Sequence, residues 1–389
     1  MSRWAAVWAH GRRGGAVLAG LTLACAEAAT WPEFAEPPMP EQTDDGWLVA
    51  SPEEHGLDPE RIALMHRLLE LDELGGVDAV LVARNGVLIY EGYRAPVTGI
   101  DDTHLLASST KSVVSLLVGA ALGRGLVAGP DQPISDLFPE LADIFAAEPA
   151  KRAITLEDVL TMRAGLRWDE KDAGDREQDG FYMRSAPDAA RYVLERPLAD
   201  EPGTRFLYSG GCTALLAAIV RNVTGVEADT FAEEALFGPL GIDDYVWGHL
   251  DDGLVDADGG LHLRGRDFLK LGQLLLQDGS WNGQQLIPAS WIEESTRARV
   301  SADRGIRYGY QWWMYALHRS DGTVDPQGVV LASGFGGQKL FVVPALDLVM
   351  VTFGCTGQDG WLSGYDCGYA HDAGELVLYN YVMRGIEGL

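Results

Sequence analysis

The chain is short of positive charge, of cysteine and of long apolar runs. Lys and Arg total 30 against 57 Asp and Glu, a formal net charge of -27. A field of that sign repels phosphate backbones and anionic bilayers, so nucleic acid and acidic membrane are excluded as expected partners. Beyond the N-terminus no stretch reaches the ~18 uninterrupted apolar residues of a transmembrane helix. The four cysteines form no Cys-x-x-Cys pair and the eight histidines are scattered with no His-Glu-x-x-His, so no metal signature is present. No Gly-x-Ser-x-Gly elbow surrounds a serine, which argues against an α/β-hydrolase. Walker and Rossmann glycine patterns are absent too, and no cofactor is expected. The 47 glycines and 18 prolines follow no period, which removes fibrous and disordered classes.

What remains is globular: 47% hydrophobic and 22% charged residues over 389 positions, enough for one large domain or two lobes. Residues 1–28 read as a secretory signal. Arg3, Arg12 and Arg13 give a basic start, Ala16 to Cys25 is a short apolar run, and Ala26-Glu27-Ala28 fits a small-x-small cleavage site. Removing those residues takes the formal charge from -27 to -29, because they carry three Arg and one Glu. The expected destination is periplasmic or secreted. Arg12-Arg13 as a twin-arginine signal and Cys25 as a lipid-attachment site stay open as routes. Export permits disulfides: Cys355 and Cys367 flank a Gly-rich loop and are plausible partners with Cys212 as a buried thiol, and three free thiols is the other reading.

Residues 29–51, Pro-rich and acidic, read as a linker, and 52–389 as the working domain. Asp58 to Leu74 has helical periodicity. Ala79–Val82 and Val87–Tyr90 are β-rich runs around Asn85-Gly86, a strong two-residue hairpin signal. Lys111 to Leu122 reads as an apolar helix. Helical pieces then follow at 156–162, 187–194, 213–223, 229–236, 265–277 and 288–295. β character returns over 308–353, including a hairpin of Leu340–Val343 with Leu348–Phe353, and Ala373 to Met383 reads as a closing helix. The economical fold is a lobe built from about 52–125 and 300–389, with a mostly helical lobe of about 126–299 inserted. A cleft between lobes is then the default site.

Three stretches could carry chemistry. In Ser108-Ser109-Thr110-Lys111, entering the apolar helix, positions three apart share a face, so the Ser108 hydroxyl and Lys111 amine can meet. A serine needs a neighbour to take its proton, and a lysine desolvated among Val113, Val114, Leu116 and Leu117 could do so. The bland alternative is Ser108 as a helix cap and Lys111 in solvent. The second stretch is Pro202-Gly203-Thr204-Arg205-Phe206-Leu207-Tyr208-Ser209-Gly210-Gly211, which sets Tyr208 before a helix; a phenol there can shuttle a proton, or it is a core aromatic. The third is Ser333-Gly334-Phe335-Gly336-Gly337-Gln338, where glycines at a strand edge admit close approach to backbone, or simply make a turn. Trp312, Trp313 and Phe335 read either as cleft walls, Trp312 being carried as substrate-binding, or as core.

The order and content of these stretches resemble the SxxK serine hydrolases: class C β-lactamases, penicillin-recognising D,D-peptidases and their esterase and amidase relatives. The resemblance spans about 52–389. It includes Ile154–Leu166 (ITLEDVLTMRAGL), Arg266–Leu274 and Tyr308–Trp313 (YGYQWW), and it is nearest in look to the 6-aminohexanoate-dimer hydrolase branch. It implies an α+β, β-lactamase/transpeptidase-like fold: an antiparallel sheet flanked by helices, with the inserted helical lobe. It also implies Ser108 as acylated nucleophile, Lys111 as its general base and Tyr208 as the proton donor to the leaving group. The main-chain N–H groups of Ser108 and Phe335 would form the oxyanion hole, with Ser333, Gly334 and Gly210 at the substrate.

Two departures bear on substrate. Members that handle β-lactams carry Tyr-x-Asn, and here the third position is Gly210. They carry Lys or His before Thr/Ser-Gly, and here it is Ala332. Losing two polar handles, each ~1.5–3 kcal/mol when charged, ranks neutral or cationic amides and esters above β-lactams. The expected partner is thus a small amide or ester. Alternatives are a D,D-peptidase, a weak β-lactamase, or a non-enzymatic peptide-binding member, though the chain keeps Ser, Lys and Tyr together. Loops 167–186 and 354–372 are expected to shape the pocket.

Overall fold

The computed structural model describes residues 37–170, 178–302, 305–318, 322–355 and 372–386. The expected signal over 1–28, Cys25 and Cys367 lie outside these residues. The described residues form fourteen strands: β1 (Leu48–Val49), β2 (Val77–Arg84), β3 (Val87–Tyr93), β4 (Thr103–Leu105), β5 (Tyr245–Trp247), β6 (Leu261–Arg264), β7 (Ser280–Trp281), β8 (Gln284–Gln285), β9 (Val300–Ser301), β10 (Arg307–Tyr308), β11 (Trp313–His318), β12 (Val324–Gly334), β13 (Gln338–Val343) and β14 (Leu348–Gly354). Nine of them make one sheet in the order β1-β3-β2-β14-β13-β12-β11-β10-β9. All its pairs are antiparallel except β1 with β3. With the helices that flank it, this is an α+β architecture. Strands β4-β6-β5 form a small second sheet, and β7-β8 a hairpin.

Sequence accounts for the sheet closely. Asn85 and Gly86 both take positive φ, 53° and 75°, as the turn between β2 and β3 requires. Register Leu340↔Val351↔Leu81 aligns side chains of one parity on one face. That face, with Ala79, Val342 and Val349, joins the larger core. The other parity, Val80, Val82, Phe341 and Met350, packs a second core with Ile62, Met65 and Val377. Both faces are covered, which is why Ala79–Ala83 of β2 and Leu348–Val351 of β14 read as unbroken apolar runs rather than as alternation.

Helix Pro59–Glu70 and the turns of Ala373–Gly385 cover the second face. Helix Gly265–Leu276 covers the first, and behind it helix Thr110–Gly123 is buried at every position from Thr110 to Ala121. A helix apolar all round must be interior. Strands β5 and β6 of the small sheet lie in the stretch expected to be mostly helical; strands of three or four residues are too short to show a period, and β6 also pairs with β4 from far back in the chain (Leu105↔His262). No helix among the described residues is long and apolar enough to cross a membrane.

The stretch expected as a linker is anchored from Glu41 onward. Arg266 donates to Glu41 O at 2.8 Å, Thr43 Oγ1 at 2.8 Å and Asp45 Oδ2 at 3.0 Å. Trp47 is 2% exposed, donates from Nε1 to Arg266 O at 3.2 Å and meets Trp281 edge-on. Composition hid this because one tryptophan and one distant buried arginine do the docking. Trp47→Ala should therefore lower the unfolding free energy by about 3–5 kcal/mol in a urea titration; a free linker would leave the midpoint within about 0.5 kcal/mol of wild type.

Candidate active site

Ser108 sits on a single turn, Ala107–Ser109, at the foot of helix Thr110–Gly123. The helix N-cap is Ser109, not Ser108, and no side chain caps it. Ala107 is held at φ 46°, a left-handed conformation that costs a β-carbon residue ~1–3 kcal/mol. The turn is fixed from two sides: Leu106 N–H donates to Leu261 O at 2.8 Å, and Ser109 Oγ donates to Gln338 O at 2.8 Å. Ser108 is half-buried and so open on one side.

Lys111 is 1% exposed and its Nζ donates to Ser108 Oγ at 3.0 Å. Its surroundings correct the sequence reading. The amine does not face bare hydrocarbon; it also donates to Asp258 O at 2.7 Å and to Asp258 Oδ1. Burial works against its charge, yet the Asp258 carboxylate, then Tyr208 and Glu170, outweigh burial and hold the amine above the ordinary lysine range. Tyr208 is half-buried before helix Gly210–Thr224, with Lys111 Nζ 5.1 Å from its ring centroid and Ser108 beside its phenol. Burial raises its phenol above the usual value, with Lys111 opposing.

The residues behind these three explain their placement. Gln311, at φ 65°, accepts at its main-chain O from Ser112 Oγ (2.7 Å) and at its side-chain O from Thr213 Oγ1 (2.9 Å). Its Nε2 donates to Leu160 O at 2.8 Å. One residue, through its main-chain oxygen and its side chain, thus ties the helix after Ser108, the helix after Tyr208 and the Leu156–Leu160 helix together. Its turn also aims the next two residues apart. Trp312 goes inward, 1% exposed, and does not line the site as expected. Trp313 instead stacks on Tyr208 with centroids 5.7 Å apart.

Gly210 begins its helix with N–H donated to Glu170 Oε2 at 2.7 Å. A Cβ there would lie 2.6 Å from the Asp258 carboxyl carbon. The space that an asparagine two residues after the tyrosine would need is filled by a carboxylate from another loop. Ser333 pairs with Lys339 and Gly334 with Gln338 at the end of β12. A Cβ at Gly334 would strike Leu106 O, so only glycine lets this strand end close on the Ser108 turn. Phe335 follows, 45% exposed. The loop is held by Thr352 Oγ1 on Gly337 O (3.0 Å) and Gln338 Nε2 on Gly354 O (2.8 Å). Cys212 is a buried free thiol, and Cys355 is disulfide-bonded; its expected pairing with Cys367 falls outside the described residues.

Sequence reasoning missed the charged set around Lys111. Asp258 Oδ2 lies 3.3 Å from Arg184, which also pairs with Asp256. Burial and Asp258 push Glu170 above the ordinary carboxylate range, and burial does the same to Asp256. Lys111 and Arg184 hold Asp258 below it despite burial. In a chain with 57 acidic residues, Asp256 and Asp258 carry no signal of their own. Glu170 and Arg184 do lie in the 167–186 loop expected to shape the pocket.

A serine bonded to a buried amine with a phenol beside it, on a rigid helix foot next to a glycine strand end, is the apparatus of a serine hydrolase. The chain belongs to the beta-lactamase family: the family model described as Beta-lactamase matches residues 70–354. It is 29% identical over 312 residues to the 6-aminohexanoate-dimer hydrolase of Paenarthrobacter ureafaciens, covering 74% of this chain and 76% of that one. Among solved structures it resembles a penicillin-binding protein homologue from Caulobacter crescentus, with TM-score 0.60 and 20% identity over 77% of this chain and 92% of that one. It also resembles EstCE1, described as a hydrolase with promiscuous acyltransferase activity, with TM-score 0.63 and 18% identity over 81% and 98%. These likenesses agree with the family and fold implied by the sequence.

Proposed function

We propose that the chain is an exported hydrolase that cleaves neutral or cationic amides and esters through an acyl intermediate on Ser108. The observation that carries this is Lys111 Nζ bonded to Ser108 Oγ with the Tyr208 ring 5.1 Å from the same amine. Ser108 Oγ attacks the substrate carbonyl carbon and its proton passes into the Lys111–Tyr208 pair. Main-chain N–H groups of Ser108 and Phe335 hold the oxyanion; the tight closure of Gly334 on Leu106 supports this pairing. Tyr208 delivers a proton to the departing nitrogen or oxygen, and water then releases the acyl group by the reverse route.

Substrate charge follows from the same surroundings. Glu170, Asp256 and Asp258 outnumber Lys111 and Arg184, and both cations are already paired. A substrate carboxylate finds no uncommitted cation among these groups. The relative from Paenarthrobacter is named a 6-aminohexanoate-dimer hydrolase, which supports an amide as the bond cleaved, beside esters. The basic start, short apolar run and Ala26-Glu27-Ala28 support export, with the mature chain beginning at Ala29.

Protein recovered from the periplasm of an expression host should read from Ala29 on N-terminal sequencing; retention of residues 1–28 contradicts export. With a short-chain p-nitrophenyl ester it should turn over and show an acyl adduct on the Ser108 peptide. Ser108→Ala should lose at least about 10^3-fold in kcat/KM and carry no adduct. Turnover that survives Ser108→Ala, or cephalosporin hydrolysis faster than that of neutral amides, overturns the assignment.

A further inference from the structure

Asp258 belongs to none of the motifs that point to the site, yet it makes two of the three hydrogen bonds around Lys111 Nζ. An ammonium has three N–H donors and no lone pair. Here the three oxygens are Ser108 Oγ at 3.0 Å, Asp258 O at 2.7 Å and Asp258 Oδ1. One residue therefore fixes the amine from two directions, and the third donor is spent on Ser108. In that state the amine cannot accept the Ser108 proton. The charged and titratable groups facing it come from separate elements. Asp258 and Asp256 lie in the loop before β6, Tyr208 precedes helix Gly210–Thr224, Glu170 lies in the loop after Leu166, and Arg184 ends helix Asp179–Arg184. Gly210 lacks the side chain that would displace the Asp258 carboxylate.

We propose that Asp258 is a positioning residue that clamps Lys111 against Ser108 and, by its charge, keeps the shared proton on Lys111 so that Tyr208 receives the proton of Ser108, with Arg184 as the counterweight. This rests on the reading of Ser108 as the nucleophile. The reactive form lacks one proton across the Lys111–Tyr208 pair. Beside the Asp258 carboxylate that proton stays on nitrogen, and the phenol oxygen is the one left bare. The Ser108 Oγ–carbon bond forms as its proton moves to Tyr208 Oη and the carbonyl electron pair moves to oxygen. When the oxyanion collapses, the bond to the leaving nitrogen or oxygen breaks, and that atom takes the proton from Tyr208. Lys111 remains an ammonium donor to Ser108 Oγ throughout.

The test is the pH dependence of Ser108 modification by an alkyl fluorophosphonate, which needs no knowledge of the natural substrate. The rate should rise with pH along a limb set by deprotonation of the Lys111–Tyr208 pair. Asp258→Asn keeps the main-chain oxygen and a side-chain acceptor but removes the charge. The pair then gives up its proton more easily, and the limb moves to lower pH by at least about one unit. Arg184→Gln removes a positive charge, so the limb moves to higher pH. Arg184 is 39% exposed at its side chain, so this variant carries the test alone if Asp258→Asn does not fold. A limb that stays put in both variants, or moves the same way in both, overturns the proposal; a merely structural Asp258 would slow modification at every pH without moving the limb. Adducts that persist in Ser108→Ala would instead overturn the assignment of the nucleophile.

Discussion

A charged amine inside a protein must be paired, and the Lys111–Asp258 ion pair is the constraint on which the site depends. Helix Thr110–Gly123 is interior along its length, and Lys111 is the charged side chain on its buried run. The pairing carboxylate has to come from outside the helix. It arrives on the loop leading to β6, and room for it exists because position 210 has no side chain. The carboxylate in turn is balanced by Arg184 from the far side. Local features that look unrelated in the sequence, a glycine after Tyr208, an Asp-x-Asp in a loop and an arginine at a helix end, thus serve one electrostatic requirement.

Rigidity around that pair comes from the packing of helices against a sheet covered on both faces. The Ser108 turn is bonded to β6 on one side and to the first residue of β13 on the other, so its geometry is set by strands rather than by the loop itself. Gln311 links the helices that carry Ser108 and Tyr208 through its side-chain and main-chain oxygens. Holding reacting groups in place in advance is how a hydrogen-bonded site with modest individual interactions becomes effective. The left-handed Ala107 is a local cost absorbed by this surrounding structure.

Much of this was legible in the sequence, and what was not has a physical cause. The β2–β3 hairpin, the buried helix after Ser108 and the helix after Tyr208 announce themselves through turn chemistry and apolar runs. So does the approach of Ser108 to Lys111, because helical spacing alone brings them together. The family resemblance lay in strings such as Ile154–Leu166, which are specific where SxxK alone is not. Trp312 and Trp313 could not be separated, because which one faces Tyr208 depends on the positive φ of Gln311. The docking of Trp47 depends on Arg266, more than two hundred residues away. Asp258 was invisible for the same reason: its partner, Lys111, is set by tertiary structure, and one acid among 57 stands out only when its neighbour is known.

The most direct measurement is the protonation state of Lys111 itself. The chain has five lysines, so protein labelled with 13C at lysine Cε gives a spectrum simple enough to follow signal by signal, with Lys111→Arg for assignment. The Lys111 signal should stay at the ammonium position from pH 6 to about 10, since burial is outweighed by Asp258. A midpoint near pH 8 or below would mean that the amine is free to act as a neutral base, and the organisation of the site around an Asp258-held ammonium would be wrong.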